Sequence, residues 1–133
     1  MTDRGRFFLT SVLLASFFLL CGGQARAFLC LAGSHGFEST TYDFGSVPVG
    51  STGDLTTNVY YWGACQGSGS TTATITTTGA FSASPASFTI ADYAHVAVTL
   101  HFQPTDQGNY AGTATVTYAD GRPTETASVA GVG

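Results

Sequence analysis

The chain has 133 residues, of which 44% are hydrophobic and only 9% are charged. The first 27 residues hold three of its four arginines, and the other 106 residues carry one arginine against seven carboxylates and no lysine, a net charge of −6. This acidity excludes the phosphate backbone of nucleic acid as a main partner and argues against anchoring on anionic lipid, while the length indicates one domain.

Residues 1–27 have the features of a secretory signal peptide. Arg4 and Arg6 precede an apolar run, and Ala25-Arg26-Ala27 has the small-x-small pattern of a cleavage site. The apolar run is too short, and has the wrong flanks, for a membrane-spanning helix. The segment therefore predicts export to the periplasm or the cell exterior, with no membrane span after cleavage.

Cysteine usage fits an oxidising compartment. Cys21 lies in the leader and lacks the small residue that a lipidation site needs before it, because Leu20 stands there. Cys30 and Cys65 remain in the mature chain, where an exported pair is usually a disulfide. We predict that they form a staple that holds residues 28–40, expected to be an extended arm. A reactive thiol or a metal pair is the alternative, but two thiols with no nearby pair of histidines are too few ligands for a closed zinc site.

The mature chain has the composition and periodicity of β-strands. Thr, Val, Tyr and Phe dominate, Gly and Pro recur, and no apolar stripe has helical spacing over three turns. The segments with strand character are 42–44, 55–62, 73–77, 81–84, 88–90, 96–102, 110–118 and 125–132. Seven to eight short strands separated by turn signals predict an all-β, immunoglobulin-like antiparallel sandwich over residues 41–133.

Two strands have a well-defined apolar face. Alternation places Val96, Val98, Leu100 and Phe102 together, and it groups the apolar side chains of residues 114, 116 and 118 in the same way. Both faces should therefore line the core of the sandwich.

An aromatic run is the best candidate for partner contact. Tyr60, Tyr61 and Trp62 are consecutive, and such side chains anchor protein interfaces well. On a strand, alternate residues face opposite sides, so at least one of Tyr61 and Trp62 is expected in the core. Core packing with an incidentally exposed Tyr60 is the competing interpretation.

Several segments resemble ASH-type (abnormal-spindle/hydin) immunoglobulin-like domains, which also occur in bacterial exported proteins called choice-of-anchor D. These domains open with a Phe-Gly-x-Val-x-Val-Gly pattern and close with Leu-x-Gly-x-Gly. The segments that carry the resemblance, in the family's order, are Tyr42–Ser51, Gly79–Ser82, Val98–Pro104, Gly108–Val116 and Val129–Gly133. The family's Asn-x-Gly turn is replaced by Tyr61-Trp62-Gly63. The resemblance implies a scaffolding, adhesion or targeting module with no catalytic residues to carry over.

Other candidate chemistry is weak. His95 and His101 lie six residues apart on one strand, about 20 Å, too far to share a metal ion, and His35 belongs to the arm. Turn carboxylates form no calcium-loop pattern, and no nucleophile elbow is present. Alternating threonines (72, 74 and 76; 113, 115 and 117) could form a hydroxyl ladder, although threonine is also simply favoured on solvated strands. We predict no cofactor, no metal and no enzymatic activity.

The leading hypothesis is thus a non-catalytic exported structural or interaction module whose partner is another protein. A pilus-like subunit or adhesin is the alternative, since such subunits share a leader, an N-terminal cysteine and Thr-rich strands. A donor-strand pilin lacks its own last strand, however, and residues 125–132 are predicted to supply one. A small carbohydrate-binding domain is the third hypothesis, and it requires an aromatic platform.

Overall fold

Nine β-strands make up the part of the chain that the structure, a computed structural model, describes: residues 35–62 and 69–133. They are β1 (His35–Phe37), β2 (Thr41–Ser46), β3 (Gly53–Tyr61), β4 (Ser70–Thr77), β5 (Phe81–Ser84), β6 (Ser87–Ala91), β7 (Ala94–Phe102), β8 (Asn109–Tyr118) and β9 (Glu125–Val132). No helix able to cross a membrane occurs in those two ranges. The predicted leader and the three cysteines lie outside them.

The strands form two sheets. One has the order β1-β3-β7-β5, and the other has the order β2-β9-β8-β4-β6. The predicted all-β immunoglobulin-like fold is confirmed, with nine strands instead of seven or eight. One pair, β2 beside β9, is parallel, whereas the remaining pairs are antiparallel. The alternation of apolar residues along a strand indicates which side chains are buried. It does not indicate which other strand pairs with it, so the parallel β2–β9 pair could not be predicted from the sequence.

The core lies between the two sheets and consists of the residues that alternation selected. Val98, Leu100 and Phe102 of β7 are buried, as are the even-numbered residues of β8 from Ala114 to Tyr118. Their neighbours in sequence are more exposed. Both predicted apolar faces are therefore confirmed.

Phe102 is the centre of an aromatic cluster. Its ring stacks on Phe81 at 4.9 Å and lies 5.6 Å from Phe44 and 5.2 Å from Tyr110. Gly131 of β9 crosses this ring so closely that a Cβ there would lie 2.5 Å from a ring carbon. A glycine is thus required where the second sheet passes over Phe102.

β1 occupies part of the segment that was expected to be an extended arm. His35 pairs with Tyr61 and Phe37 pairs with Val59, so β1 forms one edge of the four-stranded sheet. Phe37 points into the core, where its ring contacts Tyr42 at 6.2 Å. This strand was not predicted, because three residues, one of them glycine, are too few to show an alternating pattern.

Candidate interaction surface

The aromatic run at the end of β3 is divided between the core and the surface. Tyr61 is only 3% exposed, whereas Trp62 is 43% exposed. Tyr60 shares the outer face with Trp62, because side chains alternate along the strand. Of the three residues proposed for partner contact, Tyr60 and Trp62 are thus at the surface, and Tyr61 is buried away from a partner.

Tyr61 instead holds the end of β3 in place. Its hydroxyl donates a 2.6 Å hydrogen bond to Oδ2 of Asp120, in the turn between β8 and β9. The guanidinium of Arg122 lies over the Tyr61 ring, 4.3 Å from its centre, and donates from Nε to the same carboxylate at 3.0 Å. Arg122 also donates from Nη1 to the carbonyl of Trp62 at 3.1 Å, which positions the backbone at the surface site.

Three side chains in this region, Tyr61, Asp120 and Tyr118, have shifted pKa values. Burial and the hydrogen bond to Asp120 raise the pKa of Tyr61. Burial alone would raise the pKa of Asp120, but hydrogen bonds from Tyr61 and Arg122 outweigh it, so the pKa of that carboxyl is lowered. Burial raises the pKa of Tyr118, whose ring lies 5.6 Å from that of Tyr61, to about 12.

Four side chains line an open hollow of about 270 Å³ beside the end of β3: Glu38, Tyr60, Trp62 and His95. The Tyr60 and Trp62 rings meet edge to face, with centres 5.9 Å apart. The imidazole of His95 lies 5.9 Å from the Trp62 ring and 6.2 Å from the Tyr60 ring. Tyr60 and His95 are direct cross-strand partners, so the sheet register itself assembles the three rings.

Glu38 supplies the charge in the hollow. It follows β1, and its backbone N–H donates to the carbonyl of Asn58 at 3.2 Å. The Asn58 side chain in turn donates to Oε1 of Glu38 at 3.0 Å, and Nδ1 of His95 lies 3.7 Å from that oxygen. Sequence reasoning missed Glu38, since only the unpredicted strand β1 brings it beside β3. For His95 a metal site was weighed and rejected, and nothing in the sequence linked this residue to the aromatic run.

The three histidines lie at separate places. His101 is on the same outer face as His95 but pairs with Asp54, with Nδ1 and Oδ1 2.6 Å apart. Nε2 of His35 lies 3.0 Å from the carbonyl oxygen of Pro123. Among the described residues, no three His, Cys, Asp or Glu side chains are grouped as a metal site would need.

The outer face of the five-stranded sheet has a different character. Threonines face one another across its strands, with Thr74 opposite Thr117 and Thr76 opposite Thr115. Thr115 also lies within hydrogen-bond distance of Thr126, at 3.3 Å. In the described part of the chain, the outer face of the five-stranded sheet thus carries a ladder of threonine hydroxyls, and the outer face of the four-stranded sheet carries the aromatic hollow.

Comparisons with known proteins agree with this fold. The family model of HYDIN/CFA65/VesB-like Ig-like domains matches residues 35–132. The ASH/PapD-like domain 7 of human CEP192 is similar in structure, with 14% identity, a TM-score of 0.59, and coverage of 74% of this chain and 83% of that one. The expected resemblance to ASH-type domains is therefore confirmed.

Two further structures are similar over only part of their own length. The periplasmic chaperone SfaE has 8% identity and a TM-score of 0.53, with 74% of this chain matching 56% of the chaperone. A family 123 glycoside hydrolase from Clostridium perfringens has 11% identity and a TM-score of 0.55, with 75% of this chain matching 27% of the enzyme. At such identities the likeness shows the fold alone. No curated protein sequence matches the chain.

Proposed function

Because the chain belongs to the HYDIN/CFA65/VesB-like Ig-like domain family, we propose that it is a non-catalytic exported module that binds another protein. The contact surface is the outer face of the four-stranded sheet around Tyr60 and Trp62. One observation carries the proposal: the only tryptophan of the chain is 43% exposed, in a hollow with two other rings, although its neighbour Tyr61 is buried. Exposed aromatic clusters of this kind are typical of binding surfaces.

The rigid setting of this surface supports a binding role. Tyr60 and His95 stand on two hydrogen-bonded strands, and Trp62 directly follows one of them, where Arg122 of the β8–β9 turn donates to its carbonyl. A partner therefore meets side chains whose positions are already set, which lowers the entropy lost on association.

Export is supported by the leader pattern of residues 1–27. The structural likeness to a periplasmic chaperone is compatible with it. Export also supplies the oxidising conditions in which Cys30 and Cys65 would pair. Fractionation of the producing cells tests this localisation, and the protein should be found in the periplasm or the medium.

A binding role also fits the chemistry of the hollow better than catalysis does. A glycosidase site uses two carboxyl groups at a fixed separation, and among the described residues that line the hollow Glu38 supplies one. The pilus-subunit alternative is less well supported, because β9 lies between β8 and β2 in its own sheet. The domain thereby supplies the strand that a donor-strand pilin would lack.

Site-specific photo-crosslinking in the producing cells tests the proposal. A benzoylphenylalanine in place of Tyr60 should capture a defined partner. The same residue in place of Thr115, on the outer face of the other sheet, is the matched control. Capture from position 60 and not from position 115 is the expected result. Equal capture from both, or capture from 115 alone, would contradict the assignment of the surface.

A further inference from the structure

We infer that the hollow of Glu38, Tyr60, Trp62 and His95 receives a cationic side chain, lysine or arginine, from the partner protein. This inference rests on the proposed function, since it names the chemistry of the partner at the same surface. Three features lead to it: aromatic ring faces, a carboxylate beside them, and the charge of the domain around them.

The rings provide the first feature. A cation is attracted to the face of an aromatic ring, most strongly to tryptophan and then tyrosine. Trp62 and Tyr60 lie edge to face, at 63° to one another, so their faces point in different directions around the hollow. An entering ammonium or guanidinium group can therefore lie over one ring while its aliphatic stem packs on the other.

The carboxylate of Glu38 is the second feature. Its side chain is 46% exposed and is oriented by the amide of Asn58, which donates to Oε1 at 3.0 Å. The same oxygen also lies 3.7 Å from Nδ1 of His95, but a carboxylate has two oxygens and accepts from several donors at once, so it can still pair with an entering cation. Its position in the hollow places that ion pair beside the rings.

The charge of the domain is the third feature. The described residues carry seven carboxylates and one arginine, a net charge of −6 with neutral histidines. That arginine, Arg122, is held against Asp120 and the Tyr61 ring. On the outer face of the four-stranded sheet, Glu38 lies beside His95 and Asp54 lies beside His101. These carboxylates and the net charge of the domain create a negative electrostatic field. This field attracts a basic partner and repels an acidic one.

A sugar ring stacked on Trp62 would use the same aromatic faces. It would gain nothing from the net charge, however, and Glu38 would serve it only as one hydrogen-bond acceptor. The charge complementarity therefore favours a basic protein segment, and a glycan is an outcome that the experiment must be able to reveal.

The test is a nuclear magnetic resonance titration of the protein purified from expression of the full chain. The indole N–H of Trp62 gives a single signal, because the chain has one tryptophan. Three probes are used: a short acetylated peptide with one lysine and one arginine among serines, the same peptide with norleucine and citrulline in their place, and maltohexaose. The basic peptide should shift the Trp62 indole signal, and the uncharged peptide should not.

Variants separate the contributions. Glu38→Gln should weaken binding of the basic peptide about threefold, the worth of an exposed ion pair. Trp62→Ala, followed through the backbone signals of β3 and β7, should weaken it about fivefold. Asp54→Asn, which removes a carboxylate at the far end of the same face, and Tyr93→Ala, which removes an aromatic that is 72% exposed outside the hollow, are the matched controls. Tyr93→Ala should leave the affinity unchanged, and Asp54→Asn should weaken binding less than Glu38→Gln does, because Asp54 adds negative charge to this face but does not line the hollow.

Three results would overturn the inference: no shift with the basic peptide, equal shifts with its uncharged counterpart, or equal weakening by Glu38→Gln and Asp54→Asn. A response to maltohexaose alone would assign the hollow to glycans. Failure here is distinguishable from failure of the proposed function. A crosslinked partner whose binding depends on Trp62 but not on Glu38 would leave the interaction surface in place and remove only the cationic occupant.

Discussion

The hydroxyl of Tyr61 donates a 2.6 Å hydrogen bond to Asp120, 59 residues further along the chain. The bond joins the end of β3 in one sheet to the turn after β8 in the other. Arg122 closes the arrangement, because it contacts the carboxylate, the tyrosine ring and the carbonyl of Trp62. The buried member of the aromatic run thus fixes the position of the exposed one.

Removing this bond should destabilise the domain. Tyr61→Phe deletes the hydroxyl and leaves the ring, and the cost should be about 1.5–3 kcal/mol because the acceptor is charged. Urea denaturation followed by circular dichroism measures it. Tyr93→Phe is the control, since Tyr93 is 72% exposed, and it should change the free energy of unfolding by less than about 0.5 kcal/mol. Equal effects of the two variants would contradict the structural role of Tyr61.

Stability should decline in alkali because of Tyr118. Its pKa is raised from 10.0 to about 12 in the folded state by burial. The contribution of protonated Tyr118 to the free energy of unfolding is fully present below pH 10 and is lost as the pH rises toward 12. Between these two values the unfolded chain has released the tyrosine proton, whereas the folded chain still retains it. The loss should reach the order of 2–3 kcal/mol.

The measurement is urea denaturation at a series of pH values above 9. Tyr118→Phe is expected to be less stable at neutral pH, since it loses the hydrogen bond to the Tyr60 carbonyl. Its stability should nevertheless fall less steeply with pH than that of the unaltered protein. Identical slopes would show that Tyr118 does not carry the effect.

Gly131 should not tolerate a side chain. A Cβ there would lie 2.5 Å from Phe102, whose ring is fully buried and held by Phe81. Gly131→Ala should therefore cost about 1–3 kcal/mol through overpacking. Ser128→Ala, an exposed position on the same strand, is the control and should be nearly neutral. A neutral Gly131→Ala would mean that the sheets can separate at this point.

Cys30 and Cys65 lie outside the described residues, and we retain the prediction that they are bonded. Cys30 precedes His35 by five residues and Cys65 follows Tyr61 by four, and His35 and Tyr61 are strand partners. The intact mass of the exported protein should be that of the oxidised form, and reduction should lower its stability by about 3–4 kcal/mol. The double variant Cys30→Ser with Cys65→Ser should be insensitive to reductant. Two free thiols in the native protein would exclude the bond.

Much of the fold followed from the sequence because burial alternates along a strand. The strand that became β7 was predicted with its buried face, and Gly112 lies in a segment that carries the family resemblance. In the structure a Cβ at Gly112 would lie 2.8 Å from the carbonyl oxygen of Thr78. Such features are local, and they appear in the sequence as a period or as a single small residue.

The candidate site was predictable only in part. The aromatic run was visible in the sequence, and alternation required one of Tyr61 and Trp62 to be buried. Which of them was buried depends on the β3–β7 register, and Glu38 enters the site through β1. Pairings between distant segments leave no local pattern in one sequence, so the complete hollow emerged only from the structure.

The effect of removing the Trp62 side chain on partner affinity is the most direct test of the proposed binding surface. The measurement is the dissociation constant of the partner captured from position 60, determined by calorimetry for the unaltered protein, Trp62→Ala and Thr115→Ala. We expect Trp62→Ala to weaken binding by at least about tenfold, as loss of a central aromatic anchor does, while its thermal unfolding stays close to that of the unaltered protein. Unchanged affinity in Trp62→Ala, or equal loss in Thr115→Ala, would contradict the claim that this face of the four-stranded sheet is the binding surface.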